Sequence, residues 1–256
     1  MAVAFGMGIW VAIRRAEARG WGGKFALDVS VLILIFSLLG ARATYVATHW
    51  NEFRGHPLDT ISPIQHTGQI GIAGLVLLGG VAAAFATVYV YARRHKKIFL
   101  AVTDLLIPPT ALGIAVGRIG CFFNGCCFGL TTNAPWGVHF PAASLAASVY
   151  GADTCVHPTQ LYESVFMLLT FAGLMWYDRV PKATGRVTGW FLLVYGIGRY
   201  FNEGLRWYET EMVLWHSNSA RFTFSQLLSI VMVVCGATLI ALSYRKRQKV
   251  NGPSTT

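Results

Sequence analysis

The sequence predicts an all-α fold: a polytopic membrane helix bundle of about seven transmembrane helices, N-terminus outside and C-terminus cytoplasmic. Three observations predict it. Of 256 residues, 54% are hydrophobic and only 12% are charged, about half the charged share of a soluble domain. Apolar runs near the ~20 residues that cross hydrocarbon recur along the chain. Lys and Arg collect in alternate loops, the asymmetry that orients membrane helices.

The first apolar run, Met1 to Ile13, spans only about 20 Å against about 30 Å of hydrocarbon. Its basic residues follow the apolar stretch, the reverse of a signal peptide, so it reads as a half-span or as the continuation of a chain begun further upstream. Six longer runs follow: Ala26–Thr48, Ile70–Tyr91, Phe99–Phe123, Leu161–Tyr177, Thr188–Trp207 and Phe222–Tyr244. Basic residues cluster after the first (Arg14, Arg15, Arg19, Lys24), third (Arg93, Arg94, Lys96, Lys97), fifth (Arg179, Lys182, Arg186) and seventh runs (Arg245, Lys246, Arg247, Lys249). Asn124 to Gln160 carries none. The expectation is a single membrane domain over 1–250 with a short cytoplasmic tail, 251–256.

The net charge of +10 is thereby explained by loop asymmetry, and no nucleic-acid partner is expected of charge divided among four short loops. A small-solute transporter would usually show repeated halves, and none is visible. A structural scaffold would not need the charges discussed next.

Arg42, Arg118, Arg199 and Arg206 lie within or at the ends of spans, in the outer half by this topology, as do Glu163 and Glu203. A charge in a bilayer costs about 2.5–3.5 kcal/mol on insertion scales and marks function or internal pairing. Tyr195, Arg199, Glu203 and Arg206 have the spacing i, i+4, i+8, i+11, one face of a helix. Two readings fit: an Arg–Glu–Arg network that locks helices together, or a cationic pocket for an anionic lipid headgroup, for which the bidentate guanidinium fork suits phosphate. Gly113, Gly117 and Gly120 beside Arg118, and Gly68, Gly71 and Gly74 in the third run, allow close helix approach. Pro108-Pro109 is expected to bend the fourth span.

Five blocks, in order, resemble those of the prolipoprotein diacylglyceryl transferase family. They are "GARATYV" at Arg42, "GRIGCFFNGCCFG" from Gly117 to Gly129, "HPTQLYES" from His157 to Ser164, "YGIGRYFNEGLR" from Tyr195 to Arg206, and "FTFSQLLS" opening the last span. The resemblance implies transfer of the diacylglyceryl group from phosphatidylglycerol to the lipobox cysteine of a prolipoprotein, the first step of lipoprotein maturation. It implies a multi-pass protein of the bacterial cytoplasmic (inner) membrane. Its expected partners are phosphatidylglycerol, the prolipoprotein signal peptide with its lipobox cysteine, and membrane lipids. Arg118, Arg199 and Glu203 are the expected catalytic residues. Arg42, Asn124, Gly129, His157, Gln160, Tyr162, Glu163, Tyr195 and Arg206 join Arg118 and Arg199 in substrate binding. No cofactor is expected, and no metal site is assigned. A related transferase with another acceptor is the nearest alternative.

The chain departs from the family pattern in four places, the first being an opening span without the family's usual Tyr. Ala73 stands where relatives often have a His or Tyr proposed to assist the thiol, with His66 about two helical turns away; Cys121 stands for the usual Asn; Cys126 stands for the usual Glu. No general base is thereby identified. Cys121, Cys126, Cys127 and Cys155 all fall on the expected outer face, and a disulfide from Cys155 to Cys126 or Cys127 is the expected pairing. The alternatives are unpaired packing residues, a metal site with His139 or His157, although Cys126-Cys127 lacks the usual Cys-x-x-Cys spacing, and a catalytic thiol. Cys235 is expected to pack within the last span.

Overall fold

The computed structural model describes residues 2–50, 77–180, 183–207, 213–217 and 220–251. Within them the chain is predominantly helical: α1 (Ala2–Ala18), α2 (Gly23–Thr48), α3 (Leu77–Arg94), α4 (Phe99–Phe123), α5 (Leu145–Tyr150), α6 (Thr159–Tyr177), α7 (Arg186–Gly204) and α8 (Phe224–Asn251). Three of these, α2, α4 and α8 over Phe224–Tyr244, are long and apolar enough to cross a membrane. The expected fourth span matches α4 residue for residue. The third lies partly outside the described residues.

The fold is all-α, as expected, with one short hairpin of β1 (Val213–Ser217) and β2 (Ala220–Thr223) before α8. One expectation needs correction: the sixth span ends early, at Gly204 rather than Trp207. The amides of Leu205 and Arg206 turn back to the carbonyls of Asn202 and Glu203, both at 3.2 Å, which tightens the last turn and stops the helix. Arg206 then pairs in extended form with Gly129. It therefore does not continue the helical face of Tyr195, Arg199 and Glu203. Pro108 and Pro109 lie inside the continuous α4.

The chain forms two compact units, Met1–Val11 with Thr103–Thr256, and Ala12–Val102. In the second, α2 and α3 touch backbone to backbone. A Cβ on Gly79 would sit 2.6 Å from the Gly40 carbonyl oxygen, and one on Gly40 would sit 2.8 Å from that of Gly79. In lipid, burial of apolar surface gives helices little reason to associate, so such close small-residue contacts carry the packing.

In the first unit, α7 and α8 use the same device. A Cβ on Gly236 would fall 2.6 Å from the Leu193 amide nitrogen, and one on Gly196 would fall 2.8 Å from the Ser229 carbonyl oxygen. Ala111 and Ala115 of α4, Met167 and Leu174 of α6, and Val187 and Phe191 of α7 form a buried core. The buried Asp104 of α4 caps the start of α7: its carboxylate accepts from the amides of Gly185 (2.6 Å) and Thr188 (2.8 Å) and from the Thr188 hydroxyl (2.6 Å). Those amides have no partner within their own helix, and an anion there is favoured by the helix dipole. The charge of Asp104 thus has a structural explanation. The sequence Thr223-Phe-Ser-Gln226 starts α8 as a reciprocal capping box. The Thr223 amide donates to Gln226 Oε1 (3.0 Å), and the Gln226 amide donates to Thr223 Oγ1 (3.2 Å).

Residues 124–158 fold against the end of this bundle around a core of their own, made by Phe128, Phe140, Ala146 and Val156. Phe128 stacks on Trp207 at 5.4 Å. Gly129 donates its amide to the His157 carbonyl (2.9 Å), and the Trp207 amide donates to Phe128 (3.1 Å). A Cβ at Gly129 would lie 2.6 Å from that of His157, so only glycine lets these three segments meet. This weave joins the turn after α4 to the start of α6 and the end of α7.

Candidate active site

A single carboxylate organises the site. Glu163 of α6 is 4% exposed, and its two oxygens take four donors. Oε1 accepts from Arg118 Nη2 at 3.0 Å and Tyr195 Oη at 3.3 Å; Oε2 accepts from Arg199 Nη1 at 3.0 Å and Asn202 Nδ2 at 3.2 Å. A buried carboxylate must be paired and fully hydrogen-bonded to be tolerated, and this one is. Arg199 also meets Glu203 Oε2 at 2.8 Å, one turn further along α7. Thr223 Oγ1 donates to Glu203 Oε1 at 3.2 Å, which ties the start of α8 to the same network. Three helices, α4, α6 and α7, therefore aim Arg118, Glu163 and Arg199 at one place. Both guanidiniums keep some exposure, 18% for Arg118 and 12% for Arg199, while Glu203 has none.

The block "HPTQLYES" supplies a partner at nearly every polar position. His157 Nδ1 lies 3.1 Å from Tyr162 Oη, which also accepts from Trp136 Nε1 at 2.8 Å. Thr159 Oγ1 donates to the Cys127 carbonyl (2.9 Å), and Gln160 Nε2 donates to the Cys126 carbonyl (2.7 Å). Ser164 Oγ donates to the Ala115 carbonyl (2.8 Å) and fixes α6 on α4. Two buried amide oxygens, Gln160 Oε1 and Asn202 Oδ1, have no hydrogen-bond partner among the described residues. They are acceptors that a hydroxyl-bearing ligand would satisfy.

The cysteines differ from expectation. Cys155 is not bonded to Cys126 or Cys127; all five cysteines are free. The backbone explains the separation: Cys155 is carried away in a segment whose carbonyl accepts from the Thr132 amide at 2.9 Å. Its thiol packs against Gly137, where a Cβ would approach Sγ to 2.5 Å. Cys121, Cys126 and Cys127 instead gather, with their sulfurs within 4.8 Å of one another. Burial pushes the Cys127 thiol up, but Arg206, which also hydrogen-bonds it, and then Arg118 bring it below its ordinary range. Neither His139 nor His157 belongs to this group.

Of the expected site residues, Arg118, Glu163, Tyr195, Arg199 and Glu203 meet in one network. Gln160 and Arg206 adjoin it through Cys126 and Cys127. His157 and Tyr162 form a separate pair on the same block. Asn124 is exposed at the end of α4. Arg42 lies on α2 in the other unit, its guanidinium 5.7 Å from the Tyr45 ring centroid. Ala73, His66, Gly68, Gly71 and Gly74 fall outside the described residues. Asn202 and Thr223 were missed, yet both carry a signal. Asn202 is three residues beyond Arg199 and shares its helical face, and Thr223 opens a capping box.

The family profile described as prolipoprotein diacylglyceryl transferase matches residues 1–242. The phosphatidylglycerol–prolipoprotein diacylglyceryl transferase of Finegoldia magna is 32% identical over 242 residues, 94% of this chain and 87% of its own. That of Synechococcus elongatus is 34% identical over 236 residues, 90% and 76% of the two chains. That of Clostridium tetani is 28% identical over 246 residues, 94% and 92%. With four of its sequence blocks meeting in one arginine–glutamate network, the chain belongs to the prolipoprotein diacylglyceryl transferase family.

Proposed function

We propose that this protein transfers the diacylglyceryl group of phosphatidylglycerol to the lipobox cysteine thiol of prolipoproteins. The observation that carries the reading is the pair of partly accessible arginines, Arg118 and Arg199, held 3.0 Å from opposite oxygens of one buried glutamate. Glu163 takes one Nη from each, so it fixes both guanidiniums while using few of their five donors. In the reaction the acceptor sulfur attacks the glycerol carbon that bears the phosphate ester. The S–C bond forms, the C–O bond breaks, and glycerol phosphate leaves with the electron pair. Arg118 and Arg199 hold the departing phosphate, where charge accumulates and fixed cations act most strongly. Glu163 and Glu203 are positioning residues that orient them. Gln160 Oε1 and Asn202 Oδ1 accept from the hydroxyls of the headgroup glycerol. His157, Tyr162, Tyr195, Asn124, Gly129 and Arg206 complete the lipid and peptide site.

The chain works as one membrane domain over 1–250 with a short cytoplasmic tail. It makes seven spans in the bacterial inner membrane, with the N-terminus outside and the site in the outer leaflet. A reporter fused after Lys249 is expected to be cytoplasmic, and one inserted near Ser144 to be external. Reversed labelling would put the arginines on the wrong side for a secreted acceptor.

Purified protein incubated with phosphatidylglycerol and a lipobox peptide should yield peptide heavier by one diacylglyceryl group. A peptide unchanged in mass under conditions where the protein stays folded would reject the reading.

A further inference from the structure

We infer that Cys121, Cys126 and Cys127 form a three-sulfur site for one zinc ion, whose open fourth position takes the thiol of the acceptor cysteine. The site itself stands on the geometry of the turn after α4; its chemical use rests on the transfer reaction proposed above.

The turn that ends α4 builds the cluster. Gly125 has a left-handed φ of 65°. Its amide donates to the Phe122 carbonyl at 3.1 Å, and the Cys126 amide donates to the Cys121 carbonyl at 3.2 Å. This is the pair of bonds of a Schellman ending, which brings the side chains at the positions of Cys121 and Cys126 together. Those positions usually share an apolar contact; here they hold two thiols. Cys127 follows with a φ of 64°, a left-handed conformation that a non-glycine residue keeps only where the surroundings impose it. They do so here: Thr159 and Gln160 grip the carbonyls of Cys127 and Cys126, and Gln160 is fully buried. Such supporting hydrogen bonds are what hold metal ligands in place.

The distances fit. Zn–S bonds of about 2.3 Å in a tetrahedral site put sulfurs about 3.8 Å apart. The three sulfurs already lie within 4.8 Å of one another, about 1 Å from that spacing. Three thiolates and a divalent cation carry a net charge of −1, which Arg206 at Cys127 and Arg118 complement.

The coordination number indicates the use. Structural zinc sites close with four protein ligands, whereas catalytic ones supply three and leave one position open. Among the described residues the group ends at three, and Cys155 lies elsewhere. The nucleophile of the proposed reaction is itself a thiol, and a thiol coordinated to zinc gives up its proton. That proton goes to solvent. The coordinated sulfur then supplies the electron pair for the S–C bond as glycerol phosphate departs, and the metal stays divalent throughout. Arg118 and Cys121 are three residues apart on α4, on neighbouring positions of one face, so the activated sulfur is delivered beside the arginine that holds the phosphate.

The test uses the full-length protein in detergent. Elemental analysis should find one zinc per chain. Cobalt exchanged into the site should give a thiolate-to-metal charge-transfer band. The band should be lost in Cys121→Ser, Cys126→Ser and Cys127→Ser, and kept in Cys155→Ser and Cys235→Ser. A lipobox peptide should shift the visible cobalt bands, while the same peptide with Ser in place of Cys should leave them unchanged. Removing the metal from the wild-type protein should slow transfer by about 100-fold or more, the low end of what a proton-removing group contributes, and zinc should restore it. Protein without zinc and without the cobalt band, or a Cys121–Cys126 disulfide in protein alkylated during extraction, would overturn the zinc site, and unchanged transfer by metal-free protein would overturn its use; both leave the transferase reading standing. Cobalt bound by these three cysteines and shifted by the peptide, in protein that transfers nothing from phosphatidylglycerol, would uphold the site and reject that reading.

Discussion

Glu163→Gln should lower both the stability of the protein and the activity of each folded molecule. The side chain keeps its shape but loses the charge that holds Arg118 and Arg199 at 3.0 Å. Removing one partner from a buried ion pair costs about 3–5 kcal/mol, because the other charge is left buried without compensation. Glu203 still faces Arg199, so the burden falls mainly on Arg118. Tyr195→Phe removes only a neutral donor at 3.3 Å from the same oxygen and should cost about 1 kcal/mol. Thermal unfolding in detergent should rank Glu163→Gln well below Tyr195→Phe. If the network were structural only, transfer per folded molecule would be the same in all three proteins.

Arg118→Lys and Arg199→Lys separate the two roles from the other side. Lysine keeps the charge but is a point donor without the planar fork. The loss of a transition-state phosphate contact worth about 3 kcal/mol slows turnover by roughly 100-fold or more. Both variants should insert and fold. Their melting temperatures should fall less than that of Glu163→Gln, since a cation still faces the carboxylate, while transfer per folded molecule collapses. Near-normal transfer by both lysine variants would remove the phosphate role from these arginines.

Much of this site was legible in the sequence because membrane helices write their exceptions plainly. A charge in an apolar run is conspicuous, and Arg118, Glu163, Arg199 and Glu203 were all identified that way. What the spacing could not supply was the partner of each charge. Glu163 lies on a different helix from both of its arginines, and helical periodicity orders residues only within a helix. The same limit misled the reading of Arg206. Its i+11 spacing fits the face of α7, but the last turn tightens and the chain pairs with Gly129 before that residue is reached. The cysteines failed for a related reason. Cys155 is near Cys126 and Cys127 by expected topology, but local turn geometry decides which sulfurs meet. The Gly125 turn brings in Cys121 from within α4 instead. Asp104 shows the opposite case: an intramembrane charge that caps a neighbouring helix.

The reaction is tested most directly by following both halves of the lipid. Phosphatidylglycerol labelled in its headgroup glycerol should release one labelled glycerol phosphate for each peptide that gains a diacylglyceryl group. No label should appear on the peptide, and Arg118→Lys should reduce both products together. Headgroup label retained on the modified peptide, or labelled glycerol phosphate released without any gain in peptide mass, would contradict diacylglyceryl transfer at this site.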